Sequence, residues 1–291
     1  MENKAYFLHK TAVFSLFVLG DWVILLPAKN STDKTLLGFL LAAFVGVILL
    51  FSLNYLFKKV QNKTKLREPI ITFIYVVILV YSLYLAVTAF NVFMDFVLSY
   101  VLNGFSELFV AFVFLIVVFC LAFSKREVLY KLGVVTGFVS VGLIILLFVF
   151  SFNQFSVDNI SLLSMPSIAD VLSDSTGFIK CSVLPAIILL FWQDNYNKKE
   201  CSVVYGYICG LGLQLLIILN CLLIFGSRLS AKLDYPYSEA IATVTAGNIF
   251  TRMDGFSYFV FFISCLVKIT VCFKISFSLI KKVYYKVKKL K

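Results

Sequence analysis

Eight stretches of about 20 residues run almost free of charge, near 10–27, 36–57, 70–92, 105–123, 132–152, 177–192, 203–225 and 256–280. A hydrocarbon core of roughly 30 Å is crossed by about 20 residues at the helical rise, so runs of this length and composition fold in a bilayer. They are continuously apolar, whereas the strands of a membrane barrel alternate apolar and polar residues over about ten positions, so helices are expected. The fold class read from the sequence is all-α: one polytopic membrane domain over 1–291 with about eight transmembrane helices.

Hydrophobic residues make up 61% of the chain and charged ones 14%, too little polar surface for a water-soluble fold. The net charge of +11 could suggest nucleic acid, but the basic residues stand at the ends of the apolar runs rather than on one soluble face. Lys and Arg number two before the first run, five in 58–69, three in 124–131, two in 193–202 and six in 281–291, against none in 93–107 and 151–176. Positive charge accumulates on the cytoplasmic side, so both termini are expected there, in a bacterial cytoplasmic membrane or a spore inner membrane. The first run lacks a small-x-small cleavage signature at Leu25-Leu26-Pro27-Ala28-Lys29 and reads as a retained span. The Lys-rich tail should hold anionic lipid at about 1 kcal/mol per charge near the surface.

No soluble domain fits between the runs, the longest connections being 151–176 and 226–255. The segment 238–251 is apolar but short, and suits a helix lying on or dipping into the bilayer. Two runs carry interior breakers: Gly20-Asp21 ahead of Pro27 in the first, and Gly177 with Pro185 in the sixth. Irregular backbone at membrane depth is tolerated where it lines a cavity or is buried in protein, and breaks in spans 1 and 6 suggest an inverted-repeat transporter with its site between them. Pro27 could equally just end its helix.

Charges inside spans are the sharpest candidates, because holding one there costs roughly 2.5–3.5 kcal/mol on insertion scales. Asp21, beside Gly20 and Trp22, could accept an ammonium, carry a coupling proton, pair with a cation on another span, or sit hydrated near the outer interface. Lys268 and Lys274 interrupt the last span. Lys268 could replace a coupling sodium ion, whereas Lys274 can snorkel to the cytoplasmic side. Lys180 and Pro185 mark the break in the sixth run, with Lys180 near enough to its outer end to snorkel. Arg252 and Asp254, two apart at the start of the eighth, cannot share a helix face and are expected to take structural ion pairs elsewhere. The ligand-binding or ion-coupling set is therefore Gly20, Asp21, Trp22, Lys180, Pro185 and Lys268. The lone His9, the absence of C-x-x-C, of G-x-S-x-G and of a Gly-rich phosphate loop leave no expected catalytic residue, metal or cofactor.

The stretch Asp234-Tyr-Pro236-Tyr-Ser-Glu239-Ala, then Gly247-Asn-Ile-Phe-Thr-Arg252-Met-Asp254, then Phe259 through Lys268, resembles the Y-P…R-x-D…K region around span 8 of spore germinant-receptor B subunits. The opening, with a first span ending Ile24-Leu25-Leu26-Pro27 and a second from Leu36, resembles that family too, and the order of spans follows it along the chain. The resemblance implies the amino acid–polyamine–organocation superfamily, a broken-helix fold and a midplane pocket between spans 1 and 6. It also implies the sensing of a small nutrient such as an amino acid, together with A-type and C-type receptor subunits.

Two departures qualify the resemblance. Family members usually have ten spans, so the second repeat here would lack its last two helices, and Asp21-Trp22 replaces small residues at the break in span 1. A carboxylate there would repel an amino acid's own. A germinant-binding subunit, an amino acid permease of the same superfamily, and an inactive truncated paralogue are the readings that follow.

Overall fold

The computed structural model describes residues 2–23, 35–61, 68–156, 159, 168–192, 201–244 and 253–290, which are helical almost throughout. Pro27, Arg252, all of 245–251 and the side chains of Asp21 and Trp22 lie outside what is described. The helices are α1 (Glu2–Leu19), α2 (Thr35–Gln61), α3 (Glu68–Phe96), α4 (Glu107–Phe123), α5 (Arg126–Phe150), α6 (Ile168–Phe178), α7 (Leu184–Leu189), α8 (Ser202–Ser230), α9 (Pro236–Ala242) and α10 (Asp254–Leu290). Among the described residues six helical segments are long and apolar enough to cross a bilayer: Thr35–Leu56, Thr72–Val101, Arg126–Gln154, Ile168–Leu189, Ser202–Ser230 and Asp254–Tyr284. Two shorter apolar helices, Tyr6–Leu19 and Glu107–Phe123, supply the first and fourth of the expected runs. The protein is an all-α polytopic membrane protein.

The second half of the first helix is buried. Val13, Phe14, Leu16, Phe17 and Leu19 are all at most 1% exposed, because α1 is packed chiefly between α8 and α5. Both neighbours meet it with glycines four apart. A β-carbon on Gly206 of α8 would lie 2.5 Å from Phe14 Cβ, and one on Gly210 2.7 Å from Val18 Cβ. On α5, Gly133 sits against the Val13 side chain and Gly137 would come 3.4 Å from Ala12 Cβ. Small residues spaced by four let membrane helices approach to backbone contact, where dispersion takes the place of the hydrophobic effect. α10 packs along α3 and against α1, α2 against α6, and α4 completes the flank beside α10. The apolar side chains on the outside, such as Phe44, Phe73, Phe112 and Phe138, are exposed to what would be lipid.

The face bearing both chain ends, here the terminal face, is closed by rings from four helices, and the far face by α9. α9 takes up the described start of the segment 238–251, and it is packed into the bundle. Pro236, Tyr237, Ala240 and Ile241 are buried against α8 and α10. Gln154, in the turn after α5, donates to the Thr243 carbonyl and accepts from the Thr243 hydroxyl. Tyr100 donates to Glu239 at 3.0 Å.

Irregular backbone occurs where the breakers predicted it, and beyond. α1 tightens into a 3-10 turn at Gly20–Val23, with Gly20 at φ 42°. α6 passes into a π turn at Ile179–Val183 before α7 resumes. That break sits in mid-span rather than near an end, because the helix begins at Ile168, nine residues before the apolar run at 177. The disturbance falls one turn ahead of Pro185 for a reason internal to proline: its ring clashes with the carbonyl four residues back and it has no N–H to donate. α8 carries a further break at Gly226, at φ 70°. Asn159 Nδ2 donates to the freed carbonyls of Leu223 and Ile224 at 3.0 and 3.1 Å.

Candidate functional site

An α-helix that stops inside a membrane leaves carbonyls without partners, and each must be satisfied by protein. At the end of α1 the solution comes from two other spans. Gln214 of α8 donates its amide to the Val18 carbonyl at 2.8 Å. Ser264 of α10 donates to the Gly20 carbonyl at 2.8 Å. One turn further along the same face of α10, Lys268 is 2% exposed and folds directly over the break. A β-carbon on Gly20 would stand 2.5 Å from Lys268 Cδ and 3.2 Å from its Nζ. Glycine is needed there twice, for the positive φ and for the room its missing side chain gives the lysine. The ammonium thus sits at the negative end of the α1 dipole, where a cation is favoured.

The second break and the same face of α10 share a neighbour, Tyr81 of α3. Ser182 of the π turn donates to the Phe178 carbonyl at 2.7 Å, taking up one group that the wider turn releases. Cys181 of that turn and Cys272 of α10 both lie within electrostatic range of the Tyr81 hydroxyl on α3, and Cys272 is four residues past Lys268. Below them Ser82 of α3 and Ser276 of α10 share a buried hydrogen bond of 2.7 Å. Gly46 of α2 admits Val183 and the Tyr207 hydroxyl of α8 to the flank of the turn.

Of the residues singled out from the sequence, Gly20 and Lys268 meet in space, and Pro185 is buried at the start of α7 beside the π turn. Lys180 does not join them. It lies on the π turn, in mid-span rather than near an end, and is exposed on the outside of the bundle. Asp254 begins α10 and accepts a hydrogen bond from Tyr258 at 2.9 Å, one turn along its own helix, and Arg252 falls outside the described residues. Lys274 donates to the Ser124 carbonyl at 2.6 Å, at the terminal end of α4.

Sequence reasoning passed over Gln214 and Ser264, although a lone amide inside the run 203–225 is the kind of polar residue that bonds between membrane helices. Removing the Ser264 hydroxyl leaves the Gly20 carbonyl without that donor in a buried setting. Ser264→Ala is therefore expected to cost about 1–3 kcal/mol, read as a lowered Tm in detergent. An unchanged Tm would mean that the carbonyl finds another donor.

A cavity of about 570 Å³ lies elsewhere, toward the far face between α3, α4 and α10, walled by rings such as Phe93, Phe96, Phe114, Phe261 and Phe262. It offers almost no polar group for a solute, and its rim residues Phe105, Phe109 and Phe259 are exposed on the flank. The buried polar groups described above lie at the breaks instead.

Residues 9–290 match the sequence profile of the spore germination protein family. The chain belongs to that family. The matched range takes in both breaks, Gln214, Ser264 and Lys268. No curated protein and no solved structure is significantly similar to the chain. Membership makes this a permease-like membrane protein of spore germination, in a family that is not one of enzymes.

Proposed function

We propose that this protein is a germinant-receptor subunit, which binds a small nutrient such as an amino acid at the midplane between the breaks in spans 1 and 6. The observation that carries the reading is Lys268 held over the Gly20 break, within a chain of the spore germination family. Burying a lysine inside a membrane bundle is costly, which makes it a functional-site candidate by default. In this reading the ammonium is a tethered cation, doing for the carbonyl end of α1 what a bound sodium ion does in related transporters. Ligand binding then stabilises one packing of the broken spans over another, and the change is passed to A-type and C-type subunits in the spore inner membrane. Both termini lie in the cytoplasm, with the basic tail on anionic lipid.

The test is genetic first. Spores lacking the gene should lose their response to at least one nutrient. Unchanged germination with every nutrient tried would reject the receptor role. The tethered cation makes a second prediction: the dose–response of wild-type spores should be the same within about twofold whether the buffer contains sodium or choline. A tenfold loss of sensitivity on sodium removal would show that Lys268 does not substitute for an ion. Accumulation of a labelled amino acid by reconstituted vesicles, rather than binding alone, would favour the permease reading.

A further inference from the structure

The last residues of span 6 form a hook. After α7, only six residues long, the chain tightens through i→i+3 bonds from the Leu190, Phe191 and Trp192 amides to the Ile187, Ile188 and Leu189 carbonyls. This turn sends the two final rings to different helices. Trp192 donates its indole N–H to the Tyr130 hydroxyl of α5 at 2.5 Å. Phe191 meets Tyr75 of α3 edge-on at 6.3 Å. Tyr6 of α1 packs edge-on against Tyr130 at 5.4 Å.

Cations lie beside these rings. Lys10 lies 4.3 Å from the Tyr6 centroid, Arg126 5.8 Å from Trp192, and Lys282 5.8 Å from Tyr75. Tyr130 and Trp192 are 1% and 3% exposed, so the bond between them is made in a dry setting. Breaking it strands two buried polar groups unless water enters.

α7 is therefore a short rod with a π turn at one end and this hook at the other. A π turn marks a place where a helix is interrupted, and such interruptions recur at functional sites. The midplane site adjoins the π-turn end, and the terminal face lies beyond the hook. We propose that α7 is a gate lever, and that the Trp192–Tyr130 hydrogen bond is the bolt holding the route from the Lys268 site to the terminal face shut. Unbolting swings Phe191 and Trp192 off α3 and α5 and admits water as far as Cys272. The π turn takes up the rotation. α1 stays where it is, because glycine contacts fix it to α5 and α8. The proposal rests on the reading of the midplane as a ligand site, but its test does not need a ligand.

Cys272 is buried and lies one turn beyond Lys268 toward the terminal face, so it reports on that route. In a version whose six other cysteines are replaced by serine or alanine, reconstituted with the terminal face outward, Cys272 should react slowly with a membrane-impermeant methanethiosulfonate. Tyr130→Phe and Trp192→Phe, which each keep a ring and delete one partner of the bond, should raise the rate at least tenfold. An unchanged rate in both folded variants overturns the bolt. Aggregation of both variants would also overturn it, since a gate opens in its working cycle without unfolding the bundle. If the variants label faster but a mixture of the twenty amino acids leaves the parent's labelling unaltered, the gate stands and the ligand reading fails alone.

Discussion

Replacing Lys268 by methionine is expected to abolish the germination response while leaving the protein folded. Methionine keeps most of the aliphatic stem that lies over Gly20, so the contact at Gly20 stays filled and the α1–α10 packing is retained. What is lost is the charge at the carbonyl end of α1. Burying an ammonium costs desolvation energy that its partners offset, so Lys268→Met gives up both together. The expected result is a shift of the nutrient dose–response by at least a hundredfold, with a cooperative unfolding transition and a monodisperse protein retained in detergent. Loss of function without loss of the fold separates a working charge from a structural one. Spores that respond normally with Lys268→Met would reduce the lysine to packing.

Gly20→Ala probes the same contact from the other side. It forces a β-carbon against Lys268 at a positive φ, a strain of order 1–3 kcal/mol. In the double variant the more flexible methionine should relieve part of that strain. The two changes are therefore expected to be non-additive by about 0.5 kcal/mol or more.

Gly20 and Lys268 could be read from the sequence because each breaks the pattern around it: a glycine-aspartate pair inside an apolar run, and a charge inside another. Their meeting could not be read, since nothing local says which face of span 8 turns to span 1. Gln214 and Ser264 were hidden for a different reason. A neutral polar residue is tolerated at many places in a span, and only the position of the orphaned carbonyl reveals its partner.

The beginning of α6 was obscured by Asp170, Ser173, Asp174 and Ser175, which read as loop. In the fold Asp174 and Ser175 lie against Gly38 of α2, where a β-carbon would stand 2.7 Å from Asp174 Cβ. α9 shows the limit of composition. A short, moderately apolar segment looks the same whether it lies on lipid or packs against the helices of its own bundle. The Trp192–Tyr130 bond joins residues 62 apart in sequence, and no periodic pattern announces it.

The glycine contacts around α1 were present in the sequence as two spacings of four, Gly133 with Gly137 and Gly206 with Gly210, and they carry the other large expected effect. Gly206→Leu should prevent α1 from seating. Its β-carbon alone would stand 2.5 Å from Phe14 Cβ and 3.1 Å from the Thr11 carbonyl, and backbone cannot move aside as a side-chain tip can. Overpacking typically costs 1–3 kcal/mol where side chains can adjust, so a clash with helix backbone should reach about 3 kcal/mol or more. The same is expected of Gly210→Leu, which meets Val18 Cβ at 2.7 Å and the Ser15 carbonyl at 3.0 Å. With α1 displaced, the Val18 and Gly20 carbonyls leave Gln214 and Ser264, so the midplane site is lost together with the packing. The control lies on the same helix. Gly212 has nothing within 4 Å of its β-carbon position and is exposed, so Gly212→Leu should be tolerated. The measurement is the yield of monodisperse protein and its Tm in detergent for the three variants. Equal behaviour of Gly206→Leu and Gly212→Leu would show that α1 does not depend on a backbone-close seat in α8. A lowered Tm for Gly206→Leu and Gly210→Leu but not for Gly212→Leu would show that span 1 is seated by backbone-close contact with α8, the premise on which α1 is held still while α7 moves.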